Sequence, residues 1–242
     1  AKPFMLEPKE WYFPFLGAVP YKGFFELGKA QKEEQELEKQ NWDTNLRVAG
    51  GWSTLGWFKD PILSNMLNET EGELANTIIH ELTHGNLFVK DSVEFNENLA
   101  SFFGDQGARM FLKYKFGSGS QEERDYEQKQ ADQRKFTNHI LHGATLLDEL
   151  YTSKGNGTAD SLLVGPKSAL IREIINNADT LTLYEKGRYT LYLKKSKVNN
   201  AFFMSYLRYR ADLGVFEKEL KTEFDDDLRD YFQYFKLKYP SL

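Results

Sequence analysis

Apolar and polar positions recur at helical spacing through most of this 242-residue chain, and the pattern is sharpest from Thr70 to His84. At about 100° per residue, with His80 at zero, Leu74, Ala75, Ile78, Ile79 and Leu82 fall in an arc from roughly 120° to 260°. His84 falls near about 40°, on the other side. The pattern predicts a helix that buries its aliphatic face in the core and turns two imidazoles toward something else. Thr70 with Glu73 makes a capping box at its start, and Gly85-Asn86 suits a left-handed stop just after His84. Beyond a connection over Leu87 to Lys90, Asp91 and Glu94 mark the start of a second helix reaching about Tyr114. Its Phe95, Leu99 and Phe102 share one face, while Glu97 shares the opposite face with Ser101, Gly104 and Ala108. That second strip is made of small residues, which predicts close packing of the second helix on the first.

Further on, Ser120 and Glu123 form another capping box and open a long helix to about Tyr151, with a core stripe of Phe136, Ile140, Leu147 and Leu150. Lys154 to Gly157 ends it. A helix from about Lys167 to Asn176, a turn at Glu185 to Gly187 and an aromatic segment from Tyr189 to Tyr192 follow. Asn199 to Arg210 reads as a helix with Asn199, Phe203, Tyr206 and Arg210 on one face, and two short helices fill Leu213 to Tyr239. Asp225, Asp226 and Asp227 stand near the start of the last, where carboxylates favour the helix dipole. The N-terminal part reads differently. Residues 1–24 are rich in proline, glycine and aromatics and read as an extended segment, and the charged run from Phe25 to about Gln40 as a solvated helix. Asn45 to Val48 and Trp52 to Phe58 read as strands around a Gly50-Gly51 turn. The expected fold class is α+β, predominantly helical, with a small N-terminal β-sheet and a helical C-terminal half. We expect one domain over residues 1–242, made of a strand-containing part (1–66), a helix pair (67–117) and a helical part (118–242).

Composition narrows the functional classes. At 28.1 kDa, with 40% hydrophobic and 28% charged residues, the chain has enough apolar side chains for a substantial core. A net charge of −5 argues against nucleic acid as the main partner. No run approaches the about 18 apolar residues that a membrane-spanning helix needs. The absence of cysteine excludes disulfides and sulfur-ligated metals.

The chemistry lies in the first helix, where His80, Glu81, Leu82, Thr83 and His84 form a His-Glu-x-x-His run. Residues four apart on a helix lie one turn above each other, so both imidazoles can reach one metal ion from the same face. Glu81 then stands beside the ion, where a general base can take a proton from water activated there. A hydrolytic zinc usually has three protein ligands and one open position. The close-packing strip of the second helix makes Glu97 the leading third ligand, and Glu94, about 60° away, competes with it. His139 and His142, three apart on the long helix, are a weaker metal pair because no carboxylate partner stands at helical spacing beyond Asp148. An outer acceptor should fix each imidazole tautomer, and Ser101 or Asp105 is placed to do so.

Trp52-Ser53-Thr54-Leu55-Gly56-Trp57-Phe58-Lys59-Asp60-Pro61, then His80-Glu81-Leu82-Thr83-His84, then Phe95-Asn96-Glu97-Asn98-Leu99-Ala100, make a sequence that resembles the bacterial putative aminopeptidase family. The likeness runs from Trp11 to Phe25 upstream and to Asn199-Asn200-Ala201 downstream. It implies a gluzincin-type metallopeptidase with one Zn2+ on His80, His84 and Glu97, Glu81 as general base, and a peptide as substrate. It also implies a substrate-aligning edge strand, for which Ser53, Thr54, Leu55 and Gly56 are the candidates, binding through backbone hydrogen bonds. A donor for the developing oxyanion is expected from the downstream half, and Tyr206 is the candidate, with Tyr189 and Tyr192 open. Gluzincin aminopeptidases hold the substrate amine with a glutamate near that strand, and Gly50 to Trp57 contains no acid. Endopeptidase action by the same mechanism is therefore one alternative. A non-catalytic envelope-associated binding module with a structural zinc is another. The resemblance further implies an extracytoplasmic location, periplasmic or lipoprotein-anchored, with a signal segment removed.

Overall fold

No proline stands between Pro61 and Pro166. Nothing in that stretch removes an amide donor or forces the backbone out of the helical region. In a computed structural model, which describes residues 1–13, 17–48, 61–153, 159–207 and 213–239, it holds the three longest helices among them. These are α2 (Glu71–Asn86), α3 (Val93–Phe116) and α4 (Gln121–Ser153), preceded by α1 (Leu27–Lys39). After them come α5 (Val164–Asn177), α6 (Lys186–Lys195), α7 (Asn200–Leu207), α8 (Leu213–Glu223) and α9 (Leu228–Lys238). Strands β1 (Trp11–Phe13) and β2 (Gly17–Val19) pair in a two-stranded sheet, the only one among the described residues. The chain is thus predominantly helical with a small N-terminal sheet. The pattern did not foresee this pairing; residues 45–48, expected as a strand, take no strand pairing among the described residues, and the expected strand Trp52 to Phe58 lies outside them.

The contacts divide the chain into two compact units that interleave along the sequence. The first comprises Ala1–Trp11, Val19–Arg47 and Gln128–Leu207. Its core is the α4 stripe Phe136, Ile140, Ala144 and Leu147 with Ile174 of α5, Tyr189 and Leu193 of α6, and Phe202 and Phe203 of α7. Gly143 lets α5 and α7 approach α4, for a Cβ there would lie 2.8 Å from Ile174 Cγ2 and 3.0 Å from Phe203 Cε1. The expected aromatic segment Tyr189 to Tyr192 is part of α6, because Tyr189 and Leu193, four apart, fill the same core.

The second unit comprises Tyr12–Ala18, Val48–Glu127 and Arg208–Leu242. Here α3 buries Leu99, Phe102 and Phe103 against Leu220 of α8 and Tyr231 and Phe235 of α9. Full burial of side chains of this size stabilises by about 1.5–3 kcal/mol each. Asp227, at the N-cap of α9, accepts from the backbone amides of Arg229 and Asp230 at 2.9 Å.

Two details of α2 correct the sequence pattern. Gly85 and Asn86 are helical, and the helix ends at Leu87, whose amide still bonds Thr83 O at 2.9 Å. The Asn86 side chain donates to Leu82 O at 2.8 Å, and Leu87, 1% exposed, leaves the helix in an extended conformation (φ −151°) with its side chain in the core. That burial, rather than a left-handed glycine, sets the stop. Nor is the aliphatic arc buried as expected: Leu74, Ala75, Ile78 and Ile79 are half-buried and Leu82 is 54% exposed, while Gly72, Thr83 and His84 are buried. The tight seam with α3 runs along a strip between the aliphatic residues and the histidines, where small partners let the backbones approach.

Candidate metal centre

The start of α2 is fixed locally. Thr70 and Glu73 form the expected capping box, the Glu73 carboxylate accepting from the Thr70 amide at 3.2 Å and its hydroxyl at 2.8 Å. The helix then carries His80 and His84 on one face. Their Nε2 atoms lie 3.1 Å apart. From α3, Glu97 brings Oε2 to 3.6 Å from His80 Nε2 and Oε1 to 3.8 Å from His84 Nε2. The three side chains offer ligand atoms within 4.8 Å of one another, the only such group of three among the described residues. Glu94 is exposed and outside the group, so of the two carboxylates considered it is Glu97 that the fold brings to the histidines.

The reason is the seam. A Cβ on Gly104 would lie 2.7 Å from Asn76 Oδ1 and 3.0 Å from the Asn76 carbonyl, and one on Gly107 would lie 2.6 Å from Ile79 Cδ1. At Gly104 a larger residue meets the α2 backbone itself, whereas at Gly107 it meets only the Ile79 side chain. The small strip expected from the sequence is what brings α3, and Glu97 with it, against the histidine face.

Burial then sets the protonation state. The pKa of His84 is pushed down to about 4, first by desolvation and then by the neighbouring His80, with Glu97 opposing. A neutral imidazole is the form that binds metal. The donor set fits zinc: tetrahedral coordination with bonds of about 2.0–2.2 Å separates ligand atoms by about 3.3–3.5 Å. Two neutral imidazoles and one carboxylate leave a net positive charge on a divalent ion, as a hydrolytic site requires. The three side chains are 9–19% exposed, so the centre is shielded without being sealed. Glu81 sits half-buried on the same turn, outside the trio.

The surroundings hold residues that the pattern did not reveal. Asn96, 2% exposed and next to Glu97, donates to Val89 O at 2.7 Å and accepts from Val89 N at 2.8 Å. It pins the short connection between the two helices onto the first turn of α3. Its sequence signal is faint, a polar residue between Phe95 and Glu97. Asp91 takes a left-handed conformation (φ 56°) and its Oδ1 accepts from Ala18 N at 3.3 Å, beside Gly17 at φ +80°. His84 Nδ1 is buried and has no hydrogen-bond partner among the described residues. Asp105, expected as an acceptor for an imidazole, binds instead the Tyr126 hydroxyl and Arg109 Nε, both at 3.0 Å.

Tyr206 belongs to the first unit, where its ring packs on Phe136 and Phe202 and its hydroxyl is 3.4 Å from that of Tyr192. Burial, and then Tyr192, raise its pKa, so it keeps its proton. Ser53, Thr54, Leu55 and Gly56 lie outside the described residues. His139 bonds Ile174 O at 2.8 Å and His142 is exposed, and neither belongs to a group of three metal-ligating side chains among the described residues. On another side of α2, Ile79 and Leu82 line an apolar hollow of about 330 Å³ with Phe103, Met110 and Phe232; none of the three metal-ligand candidates borders it.

A family model described as "Putative aminopeptidase" matches residues 1–238. No curated protein and no solved structure matches the chain.

Proposed function

Since this chain belongs to the family described as "Putative aminopeptidase", we propose that it is a zinc metallopeptidase of the gluzincin type, with His80, His84 and Glu97 holding the ion and Glu81 as general base. The observation that carries this reading is the convergence of two imidazole Nε2 atoms and one carboxylate from adjacent helices. When bound, zinc supplies a Lewis acid that lowers the pKa of water and polarises a peptide carbonyl. His80 and His84 act as neutral donors, and their fixed one-turn spacing on α2 sets the direction from which they bind. Glu97 adds the single negative charge. Glu81 takes the proton from the attacking water and delivers it to the leaving amine, completing the transfer without a second acid.

The substrate class is a peptide. Incubating the purified protein with a mixed peptide library, with and without a chelator, tests the reading. Metal-dependent cleavage is expected, with single N-terminal residues released by an aminopeptidase and internal fragments by an endopeptidase. Glu81→Gln should keep its zinc and lose at least about a hundredfold in hydrolysis, the scale of a general base. Undiminished cleavage in that variant would remove Glu81 from the mechanism, and a wild-type protein that binds zinc but cleaves nothing would leave a structural metal module.

A further inference from the structure

One and two turns along the α2–α3 seam from the metal-ligand candidates lies a chain of polar side chains that the proposed reaction does not use. Asn76, one turn before His80, donates from Nδ2 to the Tyr126 hydroxyl at 2.7 Å. Tyr126, from the first turns of α4, donates in turn to Asp105 Oδ1 at 3.0 Å. Asp105 stands two turns after Glu97 on α3, and its other oxygen accepts from Arg109 Nε at 3.0 Å. Arg109 continues to Glu127 Oε1 at 3.0 Å, and its guanidinium lies 5.9 Å from the centre of the Tyr126 ring. All of these residues belong to the second unit.

Geometry gives the chain a direction. Tyr126 is 2% exposed, and its ring packs in the cluster of Ala108 and Leu112. Burial, and then the Asp105 charge, raise its pKa, so its hydroxyl keeps the proton it donates. Asn76 lies over Gly104, with Oδ1 only 2.7 Å from where a Cβ would stand, so its amide has little freedom to seek another partner. The hydroxyl of Tyr126 therefore links the helix of the histidines to the helix of Glu97, beside the close approach at Gly104. Losing that oxygen takes this acceptor from the half-buried Asn76 amide and removes a donor from the Asp105 carboxylate.

We propose that Tyr126, bridging Asn76 and Asp105, is a positioning residue for the metal centre: it fixes the offset between α2 and α3 and so the distance of Glu97 from His80 and His84. This inference rests on the metal-centre reading. Residues that orient ligands from outside typically change metal affinity by about 10–100-fold when altered.

The test measures Zn2+ affinity by chelator competition and the visible absorption spectrum of the Co2+-loaded protein, for wild type, Tyr126→Phe and Asp105→Asn. Tyr231→Phe serves as the control, since it removes another buried hydroxyl of the same unit, one that donates to Glu219 at 2.6 Å. The expected result is a loss of at least about tenfold in Zn2+ affinity for Tyr126→Phe, with a shifted Co2+ spectrum. The control should lower the melting temperature and leave both metal readouts unchanged. A Tyr126→Phe protein that melts lower but binds Zn2+ as wild type does, with an unshifted spectrum, would overturn the proposal. If Tyr126→Phe does not fold, Asp105→Asn decides by the same two readouts. A wild-type protein that binds no Zn2+ would instead overturn the metal centre itself, and this inference with it.

Discussion

His84 shows how much one position demands. It completes the candidate ligand pair, and burial presses its pKa down to about 4. In the metal-free protein the unfolded chain therefore takes up a proton between about pH 6.5 and 4 that the native state refuses. Stability of the chelator-treated protein should fall as pH drops through that window, and this contribution is absent above it. Comparing melting temperature against pH for wild type and His84→Gln isolates the effect. A difference between the two that stays constant from pH 7 to 4 would contradict it. His80→Ala should abolish stoichiometric zinc while leaving the helical circular dichroism intact, and metal analysis beside the spectrum reads both. Undiminished zinc in that variant would exclude His80 as a ligand.

At the scale of the element, the unit that builds the candidate metal centre is the pair α2 and α3. Their short connection, held by Asn96 against Val89, makes them neighbours, and Gly104 and Gly107 make them close. A side chain at Gly104 meets not only the flexible end of Asn76 but its carbonyl, which cannot move unless α2 moves. Gly104→Val should therefore cost about 1–3 kcal/mol of stability, as overpacking does. It should also weaken Zn2+ binding, because the same displacement carries Glu97 away from the imidazoles. Chemical denaturation and chelator competition measure the two effects, and a stability loss with no change in affinity would separate seam packing from site geometry. The pairing was legible in the sequence because the Ser101, Gly104, Ala108 strip lies on the face of Glu97. The end of α2 was not: Gly85-Asn86 has the chemistry of a left-handed stop, but burial of Leu87 overrides that local preference.

For the molecule as a whole, a ligand that binds only the native state stabilises by mass action. Zinc at a hundredfold its dissociation constant should add about 2.7 kcal/mol, a rise of roughly 5–10 °C in melting temperature for a chain of this size. Scanning calorimetry with zinc and with chelator reads the shift, and His80→Ala should lose it. An equal shift in that variant would mean that the ion acts elsewhere. Two compact units, each drawn from separated stretches of sequence, could not be read from composition or periodicity. Hydrophobic patterning reports which face of a helix is apolar, not which distant helix will cover it. The stripe Phe136, Ile140 and Leu147 was evident, whereas its partners Ile174, Tyr189, Phe202 and Phe203 were not.

Packing of α3 on α2, not spacing, chose Glu97 over Glu94 as the third candidate donor. Local spacing alone determined the two helices of the candidate centre, the capping box that starts α2, and the pairing of His80 with His84. Each depends on residues a turn or two apart, where helix geometry fixes relative direction. Tertiary structure decided what depends on contacts between distant segments: that Asp105 turns to Tyr126 and Arg109 rather than to an imidazole, that Leu82 stays half outside the core, and that the first sheet forms at Trp11–Phe13 and Gly17–Val19. A hydrogen bond between Asn76 and Tyr126 spans fifty residues, and no periodicity of either helix encodes it.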